Sequence, residues 1–299
     1  MRDASLRTIL LTGATGQVGW ELRRTLASLG QVVAPGRNVI DLAQPQRLAA
    51  AIRQFRPSLI VNAAAYTAVD RAESEPELAR AINAESAAVL AREAARLKIT
   101  LVHFSTDYVF DGKQPGAYTE VDSPRPLGVY GQTKYDGELA IRASGAEHLI
   151  LRSSWVYGLR GHNFLLTMQR LARERETVGV VDDQVGAPTW ARLIAEGTAQ
   201  VLALWLSPGA SAADRRELSG IYHMTCQGHT SWHGFAQAIF DDLRPRAGKV
   251  ARLTAIKTAD YPLPAIRPAN SILSGDRLLH SFGVSLPHWA HALNLCLSA

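Results

Sequence analysis

Thr8-Ile9-Leu10-Leu11-Thr12-Gly13-Ala14-Thr15-Gly16-Gln17-Val18-Gly19 is the stretch that decides the fold. Thr8 to Thr12 is a short apolar run, which reads as a buried strand of a parallel sheet. Beyond it, Val18, Leu22, Leu26 and Leu29 recur at helical spacing. Between strand and helix stand Gly13, Gly16 and Gly19, three residues apart. In that setting glycines permit a tight turn, close approach of backbone to a pyrophosphate, and close helix–strand packing. The N–H groups of the helix's first turn would face the phosphates. Gly13, Thr15, Gly16, Gln17, Val18 and Gly19 are therefore the candidate cofactor turn. The competing reading is an ordinary strand–helix turn.

The chain then alternates. Gln31 to Ala34 reads as the second strand. An NAD enzyme would carry an acidic residue at its end for the ribose 2′-hydroxyl. The sequence there is Pro35-Gly36-Arg37-Asn38. Arg37 suits a 2′-phosphate, which favours NADP over NAD, unless it is a solvated loop arginine. Asp41-Leu42 stand at a turn before a helix from Pro45 to Phe55. Pro57 to Asn62 reads as a third strand, opening into Ala63-Ala64-Ala65-Tyr66-Thr67. Those small side chains would let a cofactor lie against backbone; they equally suit packing between helix and sheet. A helix from Glu77 to Leu97 precedes a strand from Thr100 to Phe104. That strand delivers Ser105-Thr106-Asp107-Tyr108 to the carboxyl edge, where open α/β sheets bind ligands. Gly112 to Pro126 reads as a surface loop. A helix carrying Tyr130 runs to about Ala143, and Leu149 to Arg152 is a fifth strand. The fold class is α/β: residues 1–158 form a Rossmann-type doubly wound parallel sheet.

The pattern after that is less regular. Asn163 to Arg175 reads as helix and Val178 to Val181 as strand. Thr189 is placed to cap a helix from Ala191 to Leu206. Ser207 to Glu217 reads as a polar linker, Gly220 to Thr225 as strand, Ser231 to Leu243 as helix and Tyr261 to Asn270 as extended chain. Residues 159–299 are assigned mainly to a smaller mixed α/β lobe that binds substrate, with segments free to return to the first domain.

Tyr130-Gly131-Gln132-Thr133-Lys134 carries the chemistry. Residues four apart share a helix face, so the phenol and the ammonium point the same way. A nearby cation stabilises phenolate and lowers a tyrosine pKa, which suits a proton donor to a carbonyl oxygen near neutral pH. The same spacing occurs by chance on solvated helix faces. Its weight comes from Ser105-Thr106 upstream and from the glycine turn.

Composition bounds the remaining classes. The chain has 299 residues, 47% hydrophobic and 20% charged, as expected of a globular protein. No apolar run is long enough to span a bilayer, and Met1 to Arg7 leads into the first strand without a signal-peptide core. Cys226 and Cys296 cannot build a disulfide framework, which fits a reducing compartment. The expected location is the cytoplasm, with no membrane partner. The net charge is +5, but the basic residues are interspersed with acids. That argues against nucleic acid and for an anionic small molecule. His223-x-x-Cys226-x-x-His229-x-x-x-His233 has a spacing that zinc sites use. The coarse elements scatter these four over strand, turn and helix, so no metal is expected there. Trp232 and Trp289 read as packing residues.

Together, Gly13 to Gly19, Ser105-Thr106-Asp107-Tyr108-Val109-Phe110 and the Tyr130/Lys134 pair resemble the extended short-chain dehydrogenase/reductases. Further motifs narrow the resemblance: Gly16-Gln17-Val18-Gly19, Asn62 to Asp70, Ser153-Ser154-Trp155-Val156-Tyr157, Asp183 to Thr189 and Arg267-Pro268-Ala269-Asn270-Ser271. With these, nearly the full chain resembles the dTDP-4-dehydrorhamnose reductase family. That family reduces the C4 ketone of dTDP-4-dehydro-β-L-rhamnose with NADPH or NADH. The resemblance implies a catalytic set of Thr106, Tyr130 and Lys134. Tyr130 would protonate the C4 oxygen, Thr106 would hydrogen-bond it, and Lys134 would hold the nicotinamide ribose and lower the tyrosine pKa. It further implies that Gly13, Thr15, Gly16, Gln17, Val18, Gly19, Asp41, Leu42, Ala63, Ala64, Ala65 and Tyr66 meet the cofactor. Val69, Asp107, Tyr108, Trp155, Arg267 and Asn270 would meet the dTDP-sugar. One departure concerns magnesium. Some members carry an acid on the helix after Gly-Ala-Pro-Thr that joins a magnesium site between subunits. Here Arg192 stands at that place, with Glu21 retained on the first helix. Magnesium is therefore not expected, and a monomer or a homodimer both remain open.

Rival readings differ in identifiable residues. A nucleotide-sugar 4,6-dehydratase resembles this pattern but has Asp-Glu after the threonine; here the pair is Asp107-Tyr108, and tyrosine cannot replace the carboxylate base. An epimerase would hold NAD with an acid where Arg37 stands. A non-catalytic subunit resembling the regulatory beta subunit of methionine adenosyltransferase would share the fold; the intact Thr106/Tyr130/Lys134 set favours catalysis.

Overall fold

Strand β1 (Thr8–Thr12) lies between two parallel neighbours, β2 (Gln31–Val33) and β3 (Leu59–Asn62). The computed structural model describes residues 7–245 and 250–299; the reading made of Met1 to Leu6 lies outside them. The sheet has six strands, all parallel. The sequence that completes it is β4 (Thr100–Thr106) beside β3, then β5 (His148–Ser153), then the strand Gly220–His223 at the edge. Alternate residues of a strand face opposite sides. Accordingly Ile9, Leu11, Leu59 and Val61 enter one core layer, and Leu10 and Ile60 the other. Each fully buried aliphatic side chain contributes about 1.5–3 kcal/mol relative to exposure.

Helices cover both faces. On one side lie α1 (Gln17–Thr25) and the helices Ala191–Trp205 and Asp276–Phe282. On the other lie α2 (Pro45–Phe55), a short α3 (Val69–Ala72), a long helical run and α6 (Val129–Ala143). That run is α4 (Pro76–Arg80), one π-helical turn at Ala81–Glu85, and α5 (Ser86–Leu97). The chain beyond residue 158 thus supplies a strand to the large sheet and two covering helices. Trp205 Nε1 donates to Thr100 Oγ1 at 2.9 Å, and Thr25 Oγ1 to the Ala195 carbonyl at 3.1 Å.

A smaller layer is built from two-stranded ladders. Val156–Tyr157 pairs with Thr189–Trp190 and Thr177–Val181 with Arg252–Ile256, both parallel; Val185–Gly186 pairs antiparallel with Thr230–Ser231. Its core is aromatic and aliphatic, with Tyr157, Leu165, Trp190, Phe235 and Phe240 buried together.

Two local expectations are corrected. Thr189 does not cap the following helix. It lies in a short strand, its hydroxyl bonds to the Ala187 carbonyl at 3.0 Å, and no side chain caps that helix. Ser207 to Glu217 is not a plain linker: Ala212–Leu218 is helical, started by a capping box of Ser211 and Asp214. The capping residues outweigh the polar composition. The strand Arg252–Ile256 and the helices Asp276–Phe282 and Trp289–Leu297 escaped the sequence reading altogether.

Candidate active site

The strand order changes direction between β1 and β3, so their carboxyl ends diverge into helices on opposite sides. Ligands of open parallel sheets bind at such a switch point. Gly13 sits there with φ of 72°, the left-handed region that favours glycine. A Cβ on Gly13 would stand 2.5 Å from the Ala64 nitrogen, so the glycine turn and the Ala63-Ala64-Ala65 loop touch through backbone. A Cβ on Gly19 would stand 2.1 Å from the Gly13 carbonyl oxygen, which is how α1 comes close to the turn. No side chain caps α1, and its first turn holds no acid. Its leading N–H groups are free for an anion. This cradle fits a dinucleotide pyrophosphate.

The other cofactor candidates sit around it with different duties. Val18 is half-buried on α1 and Thr15 is exposed in the turn. Arg37 is exposed beyond β2 and has no hydrogen bond or ion pair among the described residues. Asp41 is occupied locally, accepting from the Ala43 N–H at 3.0 Å and Gln44 Nε2 at 3.2 Å, and Leu42 is buried beside it. Gln17 reaches across to residue 163, accepting from Asn163 Nδ2 at 2.9 Å. Tyr66 turns its phenol to Glu75 at 2.5 Å, while Asn83 clamps its backbone N–H and carbonyl at 2.9 and 3.1 Å.

Thr106 is the last residue of β4, and Tyr130 and Lys134 lie one turn apart on α6. Glu73 fixes the start of α6 by accepting the Val129 N–H at 2.8 Å. Thr106 Oγ1 donates to Asp107 Oδ1 at 2.9 Å and accepts from the Tyr108 N–H at 3.2 Å. The Tyr130 ring meets the Tyr108 ring edge-on, with centroids 5.6 Å apart. Burial pushes the Tyr130 phenol up to about 12, the Thr106 hydroxyl pulls it down, and the Asp107 charge adds to the rise. The Lys134 charge is not among the causes that set this net rise. The Lys134 ammonium points inward, 2.5 Å from the Phe104 carbonyl and 3.2 Å from His103 Nε2. Burial lowers Lys134 to about 8, partly offset by Glu138. Asp107 is pushed up to about 6 by burial. Its Oδ2 has no hydrogen-bond partner, and the nearby Ser271 hydroxyl offsets only part of that rise.

The substrate candidates form two groups. Val69 opens α3, and the next residue, Asp70, takes both Arg267 Nη1 and Nη2, at 3.0 and 2.7 Å. Burial raises the Tyr108 phenol and the Asp107 charge adds to the rise, while the nearby Arg267 charge offsets only part of it. Trp155 adopts φ of 47°, unusual for a bulky residue. Its ring stacks on Trp232 at 3.5 Å between centroids and its Nε1 donates to Ser271 Oγ at 3.1 Å. Trp232 therefore serves as a stacking partner as well as packing. Asn270 stands apart: its amide donates to the carbonyls of Gln114 and Gly116 at 2.7 and 2.8 Å, so it holds the loop after β4.

The histidine–cysteine spacing does not converge. His223 is buried against the Ser274 carbonyl at 3.1 Å, and Cys226 is a buried free thiol. No cluster of three metal-ligating side chains occurs among the described residues. Arg192 faces Glu21 at 3.4 Å across two packed helices. Sequence reasoning passed over Asn83, Asp70 and His103. Asn83 left a signal, a polar residue inside an otherwise apolar helical face; Asp70 closes the motif Asn62 to Asp70 but was given no role, and His103 left no signal.

The RmlD substrate binding domain family model matches residues 7–299. The dTDP-4-dehydrorhamnose reductase of Burkholderia thailandensis is 50% identical over 293 residues, covering 97% of each chain. That of Salmonella typhimurium is 45% identical, covering 94% of each. The crystal structure of dTDP-4-dehydrorhamnose reductase from Bacillus anthracis in complex with NADP superposes with a TM-score of 0.88 at 32% identity, covering 98% of this chain and 99% of that one. The glycine cradle, the Thr106/Tyr130/Lys134 edge and these full-length likenesses agree: the chain belongs to the dTDP-4-dehydrorhamnose reductase family, within the extended short-chain dehydrogenase/reductases.

Proposed function

We propose that the protein reduces the C4 ketone of dTDP-4-dehydro-β-L-rhamnose to dTDP-L-rhamnose, with NADPH as donor and NADH as the alternative. The observation that carries this reading is the position of Tyr130, Thr106 and Lys134 at the carboxyl edge, beside a cradle shaped for a dinucleotide. NADPH, when bound, supplies the hydride to C4. The turn at Gly13 to Gly19 holds the pyrophosphate on backbone N–H groups. Ala63, Ala64 and Ala65 keep the adjoining wall low, and the unpaired Arg37 meets a 2′-phosphate.

Tyr130 gives its phenolic proton to O4 as negative charge develops there. Its raised pKa keeps that proton in place at neutral pH. Thr106 shares the oxygen, and Lys134 steadies the ribose. Val69, Asp107, Tyr108 and Trp155 line the sugar. Arg267, held in place by its ion pair with Asp70, offers hydrogen-bond donors to the diphosphate, and Asn270 shapes the loop above it. The lobe after residue 158 carries the nucleotide. The two buried free thiols suit the cytoplasm, and no helix among the described residues is long and apolar enough to cross a membrane.

The test is NADPH oxidation with dTDP-4-dehydrorhamnose generated in situ, the product identified by mass and NMR. Stoichiometric dTDP-rhamnose supports the reading. A folded, NADPH-binding protein without turnover would redirect it to another 4-keto sugar nucleotide, and then to a regulatory subunit.

A further inference from the structure

Thr12, Asn62 and His103 stand side by side on β1, β3 and β4, each the register partner of the next. All three side chains are buried. Thr12 Oγ1 lies 2.5 Å from the Asn62 amide, whose other end lies 2.9 Å from His103 Nδ1. His103 Nε2 lies 3.2 Å from Lys134 Nζ. The row therefore begins directly before Gly13, passes directly before Ala63, and ends on the lysine. Hydride transfer and phosphate binding explain none of its three residues. Buried polar groups in the middle of a sheet are costly unless they satisfy one another.

The lysine explains the row. An ammonium has three N–H donors and no acceptor. One goes to the Phe104 carbonyl and one to His103 Nε2, which leaves the third for the cleft. We propose that His103, oriented by Asn62 and Thr12, is a positioning residue that keeps the Lys134 ammonium charged and fixes which N–H it presents to the cofactor. This rests on the reductase reading given above.

The chemistry determines the tautomer. His103 is neutral, held well below the usual histidine range by burial and by the Lys134 charge. A neutral imidazole carries one proton, and an ammonium can only donate. Nε2 is then bare and Nδ1 carries the hydrogen. The structure places Asn62 Oδ1 beside Thr12 Oγ1 and Asn62 Nδ2 beside His103 Nδ1; with Nδ1 protonated the amide takes the reverse sense, its oxygen on Nδ1–H and its NH2 on Thr12 Oγ1, since either end fits the same outline. The opposite sense, with hydrogen on Nε2, requires an uncharged lysine. Other groups face this pair from each side. Glu138, one turn along α6, is bound by Arg152 of β5 at 2.9 and 2.6 Å. Tyr130 stands one turn back, with Asp107 beyond it. Among them His103 alone accepts directly from the ammonium through a side chain.

The experiment uses the full chain. In the wild type, ¹⁵N NMR of the His103 ring at pH 7 should show the Nδ1–H tautomer; an Nε2–H tautomer overturns the proposal without any variant. Lysine labelled with ¹³C at the ε-carbon then reports Lys134, expected to titrate near 8. His103→Leu should move that midpoint down by about one unit and lower kcat about tenfold or more, as loss of a hydrogen bond to a charge does. The KM for the sugar nucleotide should stay nearly constant. His103→Gln, which restores an acceptor, should recover most of both. An unchanged Lys134 midpoint and kcat in His103→Leu would overturn the role. If the wild type itself fails to reduce the sugar nucleotide, the reductase reading falls, while both NMR measurements still decide the positioning role.

Discussion

At Tyr130 a sequence rule met a structural fact. The i, i+4 spacing to Lys134 is real, but the ammonium is turned to Phe104 and His103, and burial governs the phenol. Tyr130→Phe should fold, bind NADPH as the wild type does, and lose about 100-fold or more in kcat; near-normal turnover would remove it as proton donor. Arg37 is free to meet a phosphate. Arg37→Ala should weaken NADPH about tenfold or more and leave NADH almost untouched, and equal losses by fluorescence titration would refute the 2′-phosphate role. Lys134 supplies an alkaline limb, because its charge is lost as pH rises through about 8. Activity should decline there. Stability should respond with the opposite sign. The unfolded chain keeps this proton up to the ordinary lysine pKa of 10.5. Between those values it binds more protons than the native chain, so the lysine's contribution to stability rises with pH. Subtracting the unfolding free energies of Lys134→Met from those of the wild type across this window measures that slope; a falling difference would contradict it.

At the scale of elements, α6 matters most, since it carries both Tyr130, the proposed proton donor, and Lys134. It is pinned to β5 by the Arg152–Glu138 pair, with side chains 1% and 0% exposed. Removing one partner strands a buried charge. Glu138→Ala should cost about 3–5 kcal/mol, read from urea unfolding; a loss below about 1 kcal/mol would mean that the pair is solvated. The π-helical turn at Ala81–Glu85 serves the same helix. It places Asn83 between the Tyr66 backbone and Thr133 Oγ1, the latter 3.2 Å away. Gly137 lets the two helices close, since a Cβ there would stand 2.3 Å from the Asn83 carbonyl oxygen. A helix from Glu77 to Leu97 was expected from the sequence, but not its π turn, because a single wider turn barely alters a local sequence pattern.

Across the whole molecule, the two layers share one chain twice over. The strand Gly220–His223 returns to the first sheet, and the helix Ala191–Trp205 lies along α1. At that contact Arg192 pairs with Glu21, and Arg24 with Glu196 at 3.2 Å. A guanidinium occupies the place where the family resemblance would put a metal-binding acid. Treatment with EDTA followed by desalting should therefore leave kcat within about twofold of the untreated protein, a change of about 0.4 kcal/mol in the barrier. A loss restored by magnesium would refute this.

The alternation of strands and helices, the glycine turn and the Tyr130/Lys134 spacing were determined by the sequence alone, because periodicity and turn chemistry act over a few neighbouring residues. Pairings between distant segments were decided by the tertiary structure. Arg267 reaches Asp70 across 197 positions. Asn270 is spent on the loop at Gln114 and Gly116. Thr12, Asn62 and His103 become neighbours only through the register of three strands. No local pattern encodes these meetings; they follow from which strands lie side by side and how deeply their ends are buried.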